Sequence, residues 1–305
     1  MTVEGELKDF LGVNIQREGD RFILTQPQLI DSILKSLRLK KDESTHRDTP
    51  MLSSRILQKE LDSPEFDNHF NYRSVIGQIA YLEKGTRPEL AYSVHQCSRY
   101  SSNPRKAHAD AVKNIGRYLL GTADKGMIIE PKTERSFEVH VDADFCGNWH
   151  KRYGHDPDTA RSRHGYVISY AGVPIVHKSQ LQTEIALSST ESEYTGLSYA
   201  LREAIPLMEL LKEMKSHGIQ VLDHRPKVHC RVFEDNSGAL EIASVHKWRP
   251  RTKHIATKLH HFRSYVARKE ISIHPIDTKE QPADILTKPL AVELFIKFRK
   301  MIIGW

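Results

Sequence analysis

Four acidic residues stand where a folding chain most easily gathers carboxylates: Asp142 in VDADF (141–145), Glu193 in SSTESEY (188–194), Asp235 in EDNSGAL (234–240) and Asp284 in QPADILTKPL (281–290). The first falls late in a strand pattern, the second early in an amphipathic helix, the third at the end of another strand and the fourth at the opening of a last helix. Such positions can converge in space. Four carboxylates meeting this way would offer an all-oxygen environment, which suits hard divalent cations and needs no Cys or His cluster. Taken singly, each has an ordinary use as a helix cap or a solvated side chain, and Asp284 at a helix start also complements the macrodipole.

The elements that must position these residues follow from spacing. Phe137, Val139 and Val141 alternate with Glu138, His140, Asp142 and Asp144, the period of a half-buried strand. Asp142 and Asp144 leave on its polar face, Asp142 nearer the sheet. Residues 165–179 read as two strands joined at Ala171 and Gly172, which makes a three-stranded meander. The helix after it begins in the cap region Ser188, Ser189 and Thr190. Tyr194, Leu197, Leu201, Ile205, Met208 and Leu211 form its apolar stripe, and Pro206 is expected to kink or shorten it. Glu191 and Glu193 flank that stripe on opposite sides, each about 80° from its centre at roughly 100° per residue, so periodicity leaves both open. Residues 227–234 alternate again, Asp235 and Asn236 cap a short helix through Ala243, a further helix runs to about Lys269, residues 270–276 read as a strand, and a last helix enters near Pro282. The order is βββαβαβα.

The first half is plainer. Residues 8–26 read as two strands about the turn Glu18, Gly19 and Asp20, and Pro27 opens a helix to about Leu37. Residues 40–65 read as a long loop. Three helices follow, near 67–84, 88–101 and 105–120, with Val75, Ile79 and Leu82 on one face and Ile115, Leu119 and Leu120 on another, the pattern of a small bundle.

Seven phrases stand in order along nearly all 305 residues: KDFLGVNI (8–15), ILTQPQLIDSIL (23–34), YRSVIGQIAYL (72–82), TRPELAYSV (86–94), ALSSTESEY (186–194), RTKHI (251–255) and ADILTKPL (283–290). In these the chain resembles the carboxyl-terminal part of a copia-type LTR retrotransposon polyprotein, the end of a reverse transcriptase followed by its ribonuclease H. The resemblance implies an α/β fold over 131–305, a ribonuclease H-like mixed five-stranded sheet with flanking helices. Before it, over 1–130, it implies a β-hairpin and a helical thumb and connection region. It also implies a four-carboxylate site on Asp142, Glu193, Asp235 and Asp284, with Glu193 favoured because its Glu-Tyr dipeptide matches the Glu-Leu position of other ribonucleases H. Two Mg²⁺ ions, with Mn²⁺ as the alternative, would activate water and stabilise the leaving 3′ oxygen. The implied activity is cleavage of the RNA strand of an RNA:DNA hybrid. Leu11 and Gly12 resemble the primer grip, with template–primer duplex as the partner, although by themselves they suit an ordinary hairpin.

Three features depart from the family pattern. No Tyr-x-Asp-Asp turn occurs in the sequence, so polymerisation by this chain alone is not expected. Fingers and most of the palm would come from a longer precursor, an RNA-directed DNA polymerase. The loop 277–280 lacks the mobile His that many ribonucleases H carry before the last helix, and His274 lies on the strand instead. His177 stands where the family usually has Trp. The second function class is therefore a catalytically silent remnant that still holds nucleic acid.

Composition sets looser bounds. A length of 305 residues allows two domains with adequate cores. The sequence has no run of 18 apolar residues and no signal peptide, which leads to the expectation of no membrane partner and an intracellular protein; the family resemblance implies a cytoplasmic virus-like particle or the nucleus. Cys97, Cys146 and Cys230 have no paired spacing for zinc or a disulfide framework and are expected as buried or half-buried thiols. A net charge of +6 and a pI near 9.0 favour a polyanionic partner modestly. Local clustering says more: Lys247, Arg249, Arg251, Lys253 and Lys258 surround Trp248 in a segment suited to phosphate contact, and equally to a solvated face. None of these features specifies an oligomeric state.

Overall fold

The computed structural model describes residues 8–40, 45–51, 56–221, 229–244 and 260–305. They form two compact units, one drawn from residues 1–130 and 289–305, the other from residues 131–288.

In the first unit, β1 (Asp9–Phe10), β2 (Val13–Glu18) and β3 (Arg21–Thr25) form an antiparallel meander. Leu11 and Gly12, at φ 53° and 76°, make the two-residue turn between β1 and β2, a conformation that hairpins need and that Gly adopts without strain. The helices are α1 (Pro27–Ser36), α2 (Tyr72–Gly85), α3 (Ala91–Ser98) and α4 (Lys106–Gly121). Val75, Ile79, Leu82, Ile115 and Leu119 are buried as the bundle reading requires, with Leu120 half-buried. A fourth strand, β4 (Met127–Ile129), pairs with β3; three residues are too short to show periodicity.

The division at 130/131 places the helix Val292–Ile303 in the second domain, but it packs in the first unit. Its Phe295 meets the Tyr118 ring edge-on at 5.7 Å. After the helix, Gly304 at φ 93° stops it in the left-handed region. Trp305 then donates its indole N–H to the Gly126 carbonyl at 2.6 Å and lies against the buried Arg87 guanidinium, which pairs with Glu89 at 2.6 Å. These partners lie outside any local pattern, so nothing in the spacing signals that the helix leaves its sequence neighbours.

In the second unit the strands are β5 (Phe137–Asp144), β6 (Arg163–Tyr170), β7 (Val173–Leu181), β8 (Cys230–Glu234) and β9 (Ile271–Pro275). Their order across the sheet is β7-β6-β5-β8-β9; β5 to β7 pair antiparallel, and β8 runs parallel to both β5 and β9. With α5 (Pro157–Ala160), α6 (Ser189–Ser216), α7 (Ser237–Ser244) and α8 (Arg263–Ala267), this is the ribonuclease H-like arrangement. Ala171 and Gly172, both at positive φ, turn β6 into β7 as expected. Phe137, Val139, Val141, Cys230 and Val232 bury one sheet face against Tyr194, Leu197, Leu201, Ala204 and Met208 of α6, each large side chain contributing about 1.5–3 kcal/mol.

Three expectations need correction. β5 is buried on both faces rather than half-buried: on its polar side Glu138 pairs with Arg135 and Arg231, and His140 stacks on Phe233 at 4.7 Å. Helix α6 is not shortened at Pro206 but runs through it to Ser216; Pro206 is exposed, so water can take the carbonyl its missing N–H leaves free. Pro282 opens a short 3₁₀ turn, Pro282–Leu286, rather than the last helix.

That turn packs on β6 at Gly165, where a Cβ would lie 2.6 Å from Leu286 Cβ and 3.2 Å from its carbonyl carbon. Gly165→Ala is expected to lower stability by roughly 1–3 kcal/mol in urea unfolding; an unchanged midpoint would mean that the turn shifts freely.

Candidate carboxylate site

The site begins where a ladder stops. β5 and β8 pair from Phe137↔Cys230 to His140↔Phe233, and their next residues on the same face, Asp142 and Asp235, lie past the last pair. The gap between the strands is filled by the buried amide of Gln281, which donates to the Val141 carbonyl at 2.8 Å and to the Phe233 carbonyl at 3.2 Å. Crevices at the carboxyl ends of parallel strands are the usual ligand position in open α/β sheets.

Helix α6 brings the third carboxylate. Ser188 caps it by accepting from the Glu191 N–H at 3.1 Å, while the Glu191 carboxylate turns back to accept from the Leu187 N–H at 2.8 Å. That local use occupies Glu191 and leaves Glu193, half a turn on and buried, to face the strands. The start of α6 is held close to α7: a Cβ on Gly238 would lie 2.6 Å from Thr190 Oγ1, and Asn236 caps α7 by accepting from the Ala239 N–H at 3.0 Å. Asp142, Glu193 and Asp235 each bring a carboxylate oxygen within 4.8 Å of the others. Asp284 stands outside this trio on the neighbouring 3₁₀ turn. It is tied to Asp142 through Lys288, whose ammonium lies 3.0 Å from Asp284 and 3.9 Å from Asp142, and through Thr287, whose hydroxyl donates to the Asp142 carboxylate.

No family model matches the chain. The Retrovirus-related Pol polyprotein from transposon RE2 of Arabidopsis thaliana is 31% identical over 297 residues, 97% of this chain and 19% of its own length. That from transposon TNT 1-94 of Nicotiana tabacum is 30% identical over 291 residues, 93% of this chain and 20% of its own length. The chain belongs to the copia-type retrotransposon Pol polyproteins. It spans about a fifth of the length of these curated relatives. Among solved structures, the N-terminal RNase H domain of rv2228c from Mycobacterium tuberculosis, determined as a fusion with maltose binding protein, aligns with 54% of this chain and 97% of its own at 15% identity and a TM-score of 0.34.

In this copia-type chain the carboxylates are crowded and mostly buried. Burial comes first, and like charge adds to it: Glu193 is raised well above the usual range by desolvation and by Asp142, Glu234 and Asp235. Asp142 and Asp144 are raised mainly by burial, and Asp284 is raised to about 8 by burial and by Asp142. Lys288 stays charged because Asp142 and Asp284 overcome the cost of burying it. Among the described residues, Glu193 Oε2 and Glu234 Oε2 are buried with no hydrogen-bond partner. An oxygen-only donor set with buried, unpartnered oxygens fits a hard divalent cation; Asp142, Glu193 and Asp235 would hold it, with Asp284 alongside.

The structure also adds residues that the motif reading passed over. Gln281, Thr287 and Lys288 lie inside the quoted phrase 281–290, and Lys288 follows Asp284 by four residues, a spacing at which opposite charges meet on a helical turn. Glu234 is fully buried, accepts from the Asn236 N–H at 3.0 Å, and is raised to about 8 chiefly by burial. Alternation offered a signal for it, since Glu234 shares the apolar face of Cys230 and Val232. Of the residues expected to contact nucleic acid, Leu11 and Gly12 form the β1–β2 turn, and Lys247, Arg249, Arg251, Lys253 and Lys258 lie outside the described residues.

Carboxyls with folded pKa values above their unfolded ones hold extra protons in the folded state, so they favour folding at low pH and lose that contribution as pH rises through the folded value. The metal-free protein is therefore expected to lose stability between about pH 5 and pH 8. Glu234→Gln should recover on the order of 1–3 kcal/mol at pH 8 and little at pH 5 in urea unfolding; equal effects at both pH values would contradict this account.

Proposed function

We propose that the chain is the ribonuclease H portion of a copia-type polyprotein, a metal-dependent nuclease that cuts the RNA strand of RNA:DNA hybrids. One observation carries this reading: Asp142, Glu193 and Asp235, drawn from the ends of two parallel strands and from a helix, present oxygens within 4.8 Å of one another, the first two buried and Asp235 half-buried. Two Mg²⁺ ions, or Mn²⁺ in their place, would supply an activated water and charge stabilisation at the leaving 3′ oxygen. The protein's own residues have the rest of the work. Asp142, on the central strand, orients the cluster and is itself held by Thr287 and Lys288. Thr278 donates to Asp235 at 2.7 Å and fixes the direction of its carboxylate. Hybrid would be recognised by A-like shape and 2′-hydroxyls rather than by sequence, with the basic segment 247–258 as a phosphate contact. In the first unit, Leu11 at the exposed β1–β2 turn would meet template–primer duplex, while palm and fingers come from elsewhere in the polyprotein.

A second reading, a catalytically silent duplex-binding remnant, is favoured by the turn Thr278–Glu280, which carries no imidazole beside Asp235. Incubation with a labelled hybrid of about 18 base pairs in about 5 mM Mg²⁺ separates the two. The first reading predicts RNA cutting that Asp142→Asn reduces at least about 10³-fold, the scale of a lost metal-site electrostatic contribution, with hybrid binding kept. Binding by both proteins and cutting by neither selects the remnant.

A further inference from the structure

We infer that the loop following β5 is a stacking platform for an unpaired nucleic-acid base beside the carboxylates, with Trp149 as its surface and Lys151 and Arg152 as phosphate contacts. The inference rests on the nucleic-acid reading above and extends it to a second class of contact.

The loop leaves directly from the site. The Asp144 carboxylate lies so close over Gly147 that a Cβ there would fall 1.5 Å from it, and Asp144 in turn feels the charges of Asp142 and Lys288. Cys146 takes a left-handed φ of 52°, strained for a residue with a Cβ. It is held there by its thiol donating to the Ala160 carbonyl at 3.1 Å and its N–H to Ser162 Oγ at 3.3 Å. The Trp149 N–H closes the turn on the Cys146 carbonyl at 2.8 Å. Further on, Tyr153, Asp156 and Thr159 are buried; Thr159 Oγ1 donates to the Asp156 carbonyl at 2.7 Å, and Asp156 caps α5 by accepting from the Asp158 N–H at 3.2 Å. The loop is thus a packed body with an interior of its own.

What this body exposes is aromatic and cationic. Trp149 is 55% exposed and Phe145 40%. The Trp149 indole nitrogen lies 3.7 Å from where a Cβ on Gly154 would stand, so the ring passes close to that glycine while more than half of the residue stays open. His150, Lys151 and Arg152 are exposed beside it. The loop's acidic residues are already engaged, Asp156 as a buried cap and Asp158 with Arg161 at 3.0 Å. A large open aromatic surface with cations next to it is the combination that binds single strands, because any unpaired base offers a π face and the backbone brings phosphates. Paired bases have their faces covered, so duplex cannot use the ring in this way. A protein partner would call for a broader apolar patch than two aromatics rimmed by charge.

The test uses the full chain and oligonucleotides of about twelve residues, oligo(U) and oligo(dT), in fluorescence polarisation, with circular dichroism to verify folding. Trp149→Ala is expected to weaken binding of both about tenfold, and Trp149→Phe to restore most of it, since the contact reads the base face and not the sugar. Lys151→Ala with Arg152→Ala should weaken binding and flatten its salt dependence. Unchanged affinity in Trp149→Ala, or no binding of either oligonucleotide by the parent, would overturn the inference; a parent that instead retains an unrelated protein through Trp149 would assign the patch to protein contact and overturn it equally. Cutting of fully paired hybrid is read separately, so a silent nuclease that still loses oligonucleotide binding with Trp149 leaves this inference standing while the catalytic reading fails.

Discussion

The second unit depends on one feature of its sheet: the parallel ladder between β5 and β8 ends at His140↔Phe233, and both chains continue past it with acidic residues. Had the ladder run on, Asp142 and Asp235 would sit in a closed sheet without room for a ligand. The Gln281 amide fills the opening by bonding a carbonyl from each strand. It keeps the strand ends apart yet satisfied, at a depth where an unmet carbonyl would cost about 1–3 kcal/mol. Helix α6, the 3₁₀ turn at Pro282–Leu286 and the loop after β5 all take their places around that opening.

The crowding of carboxylates works against stability. Burial and mutual repulsion raise Asp142, Glu193, Glu234 and Asp284 together. Thr287 and Lys288 offset only part of it, for Asp142 and Asp284. A fold selected for stability alone would replace such a group with apolar residues of similar size. Strain of this kind concentrates where a ligand later relieves it. On the polar side of β5 the buried groups are better met: Glu138 has two arginines, and His140 is kept neutral against Phe233, its pKa lowered to about 3 by burial.

Much of the sheet was legible from alternation, because β5 and β8 carry their apolar residues at every second place, and Ala171 and Gly172 mark the turn between β6 and β7. The α6 stripe was legible for the same reason, at helical period. The choice between Glu191 and Glu193 was not, since both flank the stripe equally; the cap bond from the Leu187 N–H to Glu191 decides it, and such a bond leaves no period in the sequence. Burial of the polar side of β5 was hidden because its partners, Arg231 and Phe233, arrive from a strand about ninety residues away. Glu234 was visible as an acid on an apolar face but was overshadowed by Asp235 beside it. The placement of Val292–Ile303 depends on Tyr118 and Arg87, and no local pattern points to either.

The central claim is that this crevice exists to hold divalent cations. Mn²⁺ titration of the metal-free full chain at pH 8, followed by electron paramagnetic resonance, tests it most directly. The account predicts that Mn²⁺ binds the parent and that Asp142→Asn weakens the binding at least about tenfold, as expected when a ligand is removed from an oxygen-only site. Parent and variant binding Mn²⁺ equally, or neither binding it, would contradict the account.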